Sequence, residues 1–401
     1  MILGPAPKKY TKDGHRIMDP ASTLRRVEPL CKVAGITRVA DITGLDRVGI
    51  PVFSSIRPEA ETGSITVYNG KGATKDQAKV SAIMEGLERY CAEARGMRLL
   101  RDSFERVLAS TFAVDPRSLI LPRRTELHLM YQPIAWIAGV DLIEMEEILV
   151  PASAVFHPYS QPEDLPLFRT NTNGLASGNS MEEAVLHGIC EVIERDAWSI
   201  CEAGKKAKAD LTLGDDTELS SELLARFTMN GVEIHLKDLT SDIGVPTFGA
   251  ASDDIETRDP ILLTMGMGSH LSPEIAVVRA LTEVAQSRLT QIHGAREDTV
   301  NAKARQQLGY DRVKRINKMW FDSSGAERSV ESVVALDTPD IYDDIQVLLS
   351  QLNERGFKRV IAVDLTRKEL GIPVVRIIIP GMEVFAMDEE RVGPRLTGGL
   401  V

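Results

Sequence analysis

The chain has 401 residues, enough for a substantial core, with 43% hydrophobic and 26% charged residues, the composition of an ordinary soluble protein. Its formal net charge of −11 argues against indiscriminate nucleic-acid binding. No signal-peptide layout opens the chain, no apolar run reaches membrane-spanning length, and the four cysteines form neither a C-x-x-C pair nor a zinc-finger spacing, so a reducing, cytoplasmic setting is expected.

The first predicted elements are a strand, a turn and a strand. In Asp41-Ile-Thr-Gly-Leu-Asp-Arg-Val-Gly49-Ile-Pro51 an apolar strand ends in Asp-aliphatic-Thr and the turn closes on glycine. Proline then opens the strand from Val52 to Arg57, a position where its missing N–H loses no ladder bond. The same pattern recurs from Asp238 to Pro246 and from Asp364 to Pro373, each followed by an apolar strand. The expected fold class is α+β, with repeated strand-turn-strand units forming sheets, acidic helices packed around them, and residues 1–401 in one domain with internal pseudo-repeats. Gly70-Lys71-Gly72 lacks the spacing of a phosphate-binding P-loop, which leaves Lys71 as a supporting site candidate only.

Three predicted helices then carry one acidic pattern: Ser81-x3-Glu85-x2-Glu88-Arg89, Glu183-x7-Glu191-x2-Glu194-Arg195 and Glu283-x2-Gln286-x-Arg288. Carboxylates three apart share a helix face, and here that face is flanked by apolar Ile83, Met84, Leu87, Val192, Ile193 and Val284. Inward carboxylates from separate helices repel one another and are costly to desolvate unless a cation neutralises them. Mg2+, which takes oxygen ligands shared with nucleotide phosphates, is the economical choice, with Arg89 and Arg195 binding phosphate or orienting the glutamates. The competing reading is a set of exposed Glu–Arg pairs worth little. The small-residue loop Thr170 to Ser180 offers backbone N–H groups to an anion, or is a plain turn with Ser180 as helix cap.

Further on, Gly294 to Lys318 is a basic segment that reads as an exposed helix or loop. Asp337 to Arg355 reads as an amphipathic helix with Ile341, Ile345, Leu348, Leu349 and Leu352 on its core stripe.

These motifs closely resemble the YcaO family of ATP-dependent enzymes that activate backbone amides, from Pro20-Ala-Ser-Thr-Leu-Arg-Arg-Val-Glu-Pro29 through Val374-Val-Arg-Ile-Ile-Ile-Pro-Gly-Met-Glu383. The resemblance implies ATP and Mg2+ as cofactors, with Glu85, Glu88, Glu183, Glu191 and Glu194 on the metal. It puts Ser81, Arg89, Asn179, Arg195, Gln286 and Arg288 on the nucleotide, with Glu283 and Lys71 in support, and a basic residue near the N-terminus, Lys12 or Arg16, on the phosphates. It also implies that a nucleophile adds to a peptide carbonyl, the adduct oxygen takes the γ-phosphate, and phosphate leaves with that oxygen. No side-chain nucleophile is required, and no catalytic triad is expected.

Family members that form azolines characteristically carry a proline-rich tail, whereas this chain ends Gly393-Pro-Arg-Leu-Thr-Gly-Gly-Leu-Val401, and no extra leader-binding domain is expected. The stretch Ser64-Ile-Thr-Val-Tyr-Asn-Gly-Lys-Gly-Ala-Thr-Lys75 is similar to stand-alone members tied to methanogenesis, which install thioglycine in the α subunit of methyl-coenzyme M reductase, often with a TfuA partner. The expectation is thioamidation with an external sulfide source, and a homodimer is compatible with it. An azoline-forming cyclodehydratase and a non-catalytic ATP-binding accessory protein stand as alternatives.

Overall fold

In each strand-turn-strand repeat the aspartate closes the turn locally. Asp41, Asp238 and Asp364 each accept, through Oδ1, the main-chain N–H two residues on, at 2.9–3.0 Å. The threonine that supplies this N–H, Thr43, Thr240 or Thr366, then accepts through its hydroxyl the N–H of the first residue of the returning strand at 3.1–3.2 Å. Gly49, Gly244 and Gly371 take positive φ values of 72°, 84° and 61°, a region other residues enter at a cost. One short motif thus fixes both ends of three antiparallel strand pairs.

The structure is a computed structural model that describes residues 1–122, 132–214, 217–297 and 302–398; part of the basic segment Gly294 to Lys318 and the last three residues of the chain lie outside the described residues. In chain order the strands are β1 (Arg38–Asp41), β2 (Val52–Ile56), β3 (Val67–Lys71), β4 (Leu100–Asp102), β5 (Ile134–Asp141), β6 (Glu146–Pro151) and β7 (Leu175–Ser177). Then follow β8 (Ala209–Thr212), β9 (Val232–Asp238), β10 (Thr247–Asp254), β11 (Met265–Ser269), β12 (Glu327–Ser329), β13 (Ile361–Asp364) and β14 (Val374–Ile378). They form three sheets, ordered β1-β2-β3, β11-β10-β9-β8-β12 and β4-β5-β13-β14-β7, with β6 on the other edge of β5. The helices that build the site are α1 (Pro20–Val27), α2 (Lys75–Cys91), α3 (Met181–Gly204) and α4 (Pro273–His293); α5 (Ile341–Glu354) buries its predicted stripe against α3.

Each sheet holds one repeat, and each repeat has a third strand. β3 pairs with β2 and leads into α2; β11 pairs with β10 and leads into α4. The third unit is assembled out of chain order, because β7, which leads into α3, pairs with β14 from almost 200 residues downstream. The acidic helix α3 therefore follows a strand unit of its own, like α2 and α4. The loop predicted from Thr170 to Ser180 contains β7, and Ser180 is the helix cap, accepting from Glu183 N at 3.3 Å.

The third strands β3 and β11 carry glycine where their helices lie directly on them. A Cβ at Gly70 would stand 1.9 Å from Ala82 N, and one at Gly268 would stand 2.1 Å from Ala276 O.

Candidate functional site

The three acidic helices meet around one cavity of about 820 Å3, and each presents a stripe at helical spacing. α2 contributes Gln77, Ser81, Glu85 and Glu88; α3 contributes Glu183, His187, Glu191 and Glu194; α4 contributes Arg279, Glu283, Gln286 and Thr290. In all three units the distance along the chain is the same: Lys71, Ser177 and Ser269 end the third strand, Glu85, Glu191 and Glu283 lie 14 residues later, and Glu88, Glu194 and Gln286 lie 17 residues later.

The units interlock in a ring. The N–H of Ser177 donates to Glu88 on α2 at 2.9 Å, and the N–H of Ser269 donates to Glu194 on α3 at 3.1 Å. Gln286 on α4 donates through Nε2 to the Asn69 carbonyl, and Lys71 pairs with Glu283. Each sheet thus supplies the partner for the next unit's helix, which holds the three stripes facing inward.

Four carboxylates are in surplus here. Glu85 pairs with Arg89 at 3.1 Å, Glu88 uses only one oxygen on Ser177, Glu194 accepts from Ser269, and Glu191 has no hydrogen-bond partner among the described residues. Burial pushes Glu88 up to about 8 and Glu191 up to about 7, and it raises Glu194 as well. Glu283 is the exception: burial raises it too, but Lys71 and Arg195 together hold it below the ordinary carboxylate value. Arg16, Lys71, Arg89, Arg195 and Arg279 line the same space, and Nε of Arg89 and of Arg195 are buried donors without a partner. Carboxylates only partly neutralised, Glu85 by Arg89 and Glu194 by Arg195 at 3.7 Å, beside unused guanidinium donors fit a hard cation and a polyanion bound together.

All the residues singled out from the sequence line this cavity except Lys12 and Arg288. Lys12 is exposed, so of the two N-terminal candidates only Arg16 faces the cavity. Arg288 is fully buried elsewhere, binding Asp46 through Nε at 2.8 Å and Asp254 through Nη2 at 3.0 Å; it is a packing residue rather than a nucleotide contact. The i and i+2 positions of a helix do not share a face, so Gln286 and Arg288 diverge.

Glu183 also takes a different place from the metal ligand expected. Its Oε1 accepts the Ile17 N–H at 2.6 Å and its Oε2 accepts the Asn179 N–H at 2.8 Å, so both oxygens organise main chain. The candidate metal set is therefore Glu85, Glu88, Glu191 and Glu194. Asn179 meets Thr23 of α1 through its side chain at 3.2 Å, fastening that helix over the cavity.

Arg279, His187 and His270 were not anticipated. Arg279 is four residues before Glu283 on the same face, so helical spacing alone would have found it. It donates to the Ser269 carbonyl at 3.0 Å and bonds His187 Nδ1 at 3.2 Å. Burial, with Arg279 adding to it, holds His187 and His270 well below the ordinary histidine value, which makes them neutral hydrogen-bonding groups.

The profile of the YcaO family, described as YcaO cyclodehydratase, ATP- and Mg2+-binding, matches residues 69–383. The chain is 50% identical to an uncharacterized protein of Methanothermobacter thermautotrophicus over 384 residues, covering 95% of this chain and 98% of that protein. It is 32% identical to an uncharacterized protein in the tfuA 3' region of Rhizobium leguminosarum bv. trifolii, covering 92% and 89%. Among solved structures, YcaO from Methanopyrus kandleri bound with AMPPCP and Mg2+ superimposes with a TM-score of 0.81 at 32% identity, covering 97% of this chain and 98% of that one. A heterocyclase in complex with substrate and cofactor matches with a TM-score of 0.81 at 23% identity, a likeness of fold, covering 96% of this chain and 54% of that one.

The chain belongs to the YcaO family of ATP-utilising enzymes. ATP and Mg2+ are the ligands of that family, and the α+β architecture is the family's own. Among the described residues no helix is long and apolar enough to cross a membrane.

Proposed function

We propose that this protein replaces the oxygen of a peptide-bond carbonyl with sulfur, making a thioamide at a glycine of a protein substrate, the α subunit of methyl-coenzyme M reductase. Hydrosulfide adds to the carbonyl carbon, the resulting oxyanion attacks the γ-phosphorus of ATP with loss of ADP, and C=S forms as the sulfhydryl loses its proton and phosphate departs with the former amide oxygen. Mg2+ held among Glu85, Glu88, Glu191 and Glu194 supplies charge neutralisation at the phosphates. Arg89 and Arg195 offer their unused donors to the phosphate oxygens, and Arg16 closes the cavity from the N-terminal segment.

The observation that carries the reading is the cavity's pairing of partly partnered carboxylates with unused guanidinium donors, which fits a metal-bound polyphosphate. The sulfur chemistry rests on likeness: two of the relatives above are methanogen proteins and a third belongs to a tfuA region, which also supports a TfuA-type partner.

The test is incubation of the protein with Mg2+, ATP, sulfide and a glycine-containing substrate peptide, followed by mass spectrometry. Exchange of sulfur for oxygen with release of ADP is expected. Consumption of ATP with loss of water from a cysteine-containing peptide, and no need for sulfide, would instead assign an azoline product.

A further inference from the structure

A second, smaller cavity of about 60 Å3 is lined by Arg376 on β14 and by Arg391. Both arginines are 5% exposed. Neither has a carboxylate partner within ion-pair distance among the described residues, and no acidic residue lines the space. Arg376 donates through Nε to the Ala154 carbonyl at 3.1 Å and through Nη2 to Asn171 Oδ1 at 3.3 Å, while its Nη1 is buried and unpartnered. Arg391 donates to the carbonyls of Ile120 and Leu119 at 2.8 and 2.6 Å and stacks 4.0 Å from the centre of the Phe168 ring.

Two buried guanidinium groups sharing a pocket with only neutral hydrogen-bond partners are a costly arrangement unless an anion joins them. Burial lowers Arg376 to about 9 and Arg391 to about 10, yet arginine stays charged at neutral pH. Water alone would satisfy Nη1 but would bring no charge into the pocket, where Glu191 acts on Arg376, and Asp388 and Glu383 on Arg391, only from beyond ion-pair distance. The remaining lining combines the amides of Asn171 and Asn173, the latter with a buried unpartnered Oδ1, with Phe168 and aliphatic groups such as Val192 and Ile377.

We propose that this cavity is a binding site for a small monovalent anion, seated between Arg376 and Arg391. Its volume admits a halide-sized or hydrosulfide-sized ion. It lies one residue along α3 from Glu191, since Val192 lines it, so an anion there sets the field next to the main cavity. The site is independent of the thioamide chemistry, which bears only on whether hydrosulfide is the natural occupant.

Bromide is the probe. Crystals of the full chain grown in bromide should show an anomalous peak between the two guanidinium groups, absent in crystals of Arg376→Gln. In solution, bromide at fixed ionic strength should raise the melting temperature of the protein above that in gluconate, an ion too large for the space. If Arg376→Gln does not fold, Arg391→Gln serves for the comparison, and the bromide peak in the unaltered protein needs no variant. Displacement of bromide by hydrosulfide would assign the site to the sulfur nucleophile, and retention would assign it to halide; both support an anion site. Water density alone at this position, with equal melting in bromide and gluconate, would overturn it.

Discussion

The main-chain N–H of Ser177 donates to Glu88 Oε1 at 2.9 Å and its hydroxyl donates to the same oxygen at 2.6 Å, tying the end of one sheet to the helix of the next unit. The other oxygen is left to the cavity, and burial outweighs the serine bonds to push the carboxyl up to about 8. In metal-free protein the native state then holds a proton that the unfolded chain, with its ordinary value of 4.5, has already released. Stability falls with rising pH wherever the native state binds more protons. Glu191, pushed up to about 7, adds to the lower part of that window. Buried His187 and His270 act oppositely, but the unfolded histidine value of 6.5 confines their effect to the acid side. Between pH 7 and 8 the metal-free protein should lose on the order of 1 kcal/mol. Thermal melts should show a smaller loss in Glu88→Gln and none with saturating Mg2+; equal slopes in protein and variant would remove Glu88 as the titrating group.

Glu183 holds the N-terminal segment that carries Arg16. Replacing it with glutamine sets an NH2 group against either the Ile17 or the Asn179 N–H, turning an accepted bond into a donor clash. The cost should be about 2 kcal/mol, concentrated on that segment. Hydrogen exchange at the Ile17 amide should quicken and KM for ATP should rise, with kcat changed less. A variant with native protection at Ile17 and an unchanged KM would show that the carboxylate does not position Arg16.

How far the sequence discloses this site follows from the range of the interactions involved. Asp-x-Thr turns and acidic stripes are local, so Asp41, Asp238 and Asp364 and the glutamates of α2 and α3 are readable from spacing alone. The pairing of β7 with β14 joins segments far apart in the chain, and nothing in Leu175-Ala-Ser177 announces it. Gly70 and Gly268 conceal their strands because close helix contact removes the side chains that would give a period-two pattern. Gln286 and Arg288 stand close in sequence, yet two residues along a helix turn the side chain to the far side, and Arg288 is buried there.

The buried position of Arg288 has a measurable consequence. Arg288 is the shared partner of Asp46 and Asp254, and Arg47 also binds Asp254, at 2.8 Å. Arg288→Met leaves a buried carboxylate, Asp46, without its cation and should cost about 3–5 kcal/mol. Urea denaturation should show the loss, while the nucleotide affinity of the folded fraction stays within about twofold, less than 0.5 kcal/mol. A large fall in nucleotide affinity with stability intact would restore Arg288 to the site.

Gly70→Ala tests the contact that sets the depth of α2. The added methyl would fall 1.9 Å from Ala82 N and 2.5 Å from Ala78 O, both main-chain atoms that cannot rotate away. The helix must lift from β3, carrying Ser81, Glu85 and Glu88 with it. Overpacking of this kind costs about 1–3 kcal/mol or more, and Mg2+-dependent nucleotide binding should weaken along with stability. Gly44→Ala, whose Cβ would meet nothing within 4 Å, is the control and should leave both unchanged.

Glu191→Gln separates an enzyme from an accessory nucleotide-binding protein. The substitution keeps shape and removes one charge from a group that has no hydrogen-bond partner in the described protein, so folding should survive. If Glu191 helps hold Mg2+ over the transferring phosphate, ADP release in the presence of peptide and sulfide should fall by about 100-fold or more, as when one preorganised charge-stabilising group is lost. AMPPCP binding, followed by calorimetry in Mg2+, should weaken far less, because Arg89, Arg195 and the other three carboxylates remain. Undiminished ADP release with normal binding would mean that the surplus carboxylates serve only to hold nucleotide, and the assignment of chemistry to this cavity would fail.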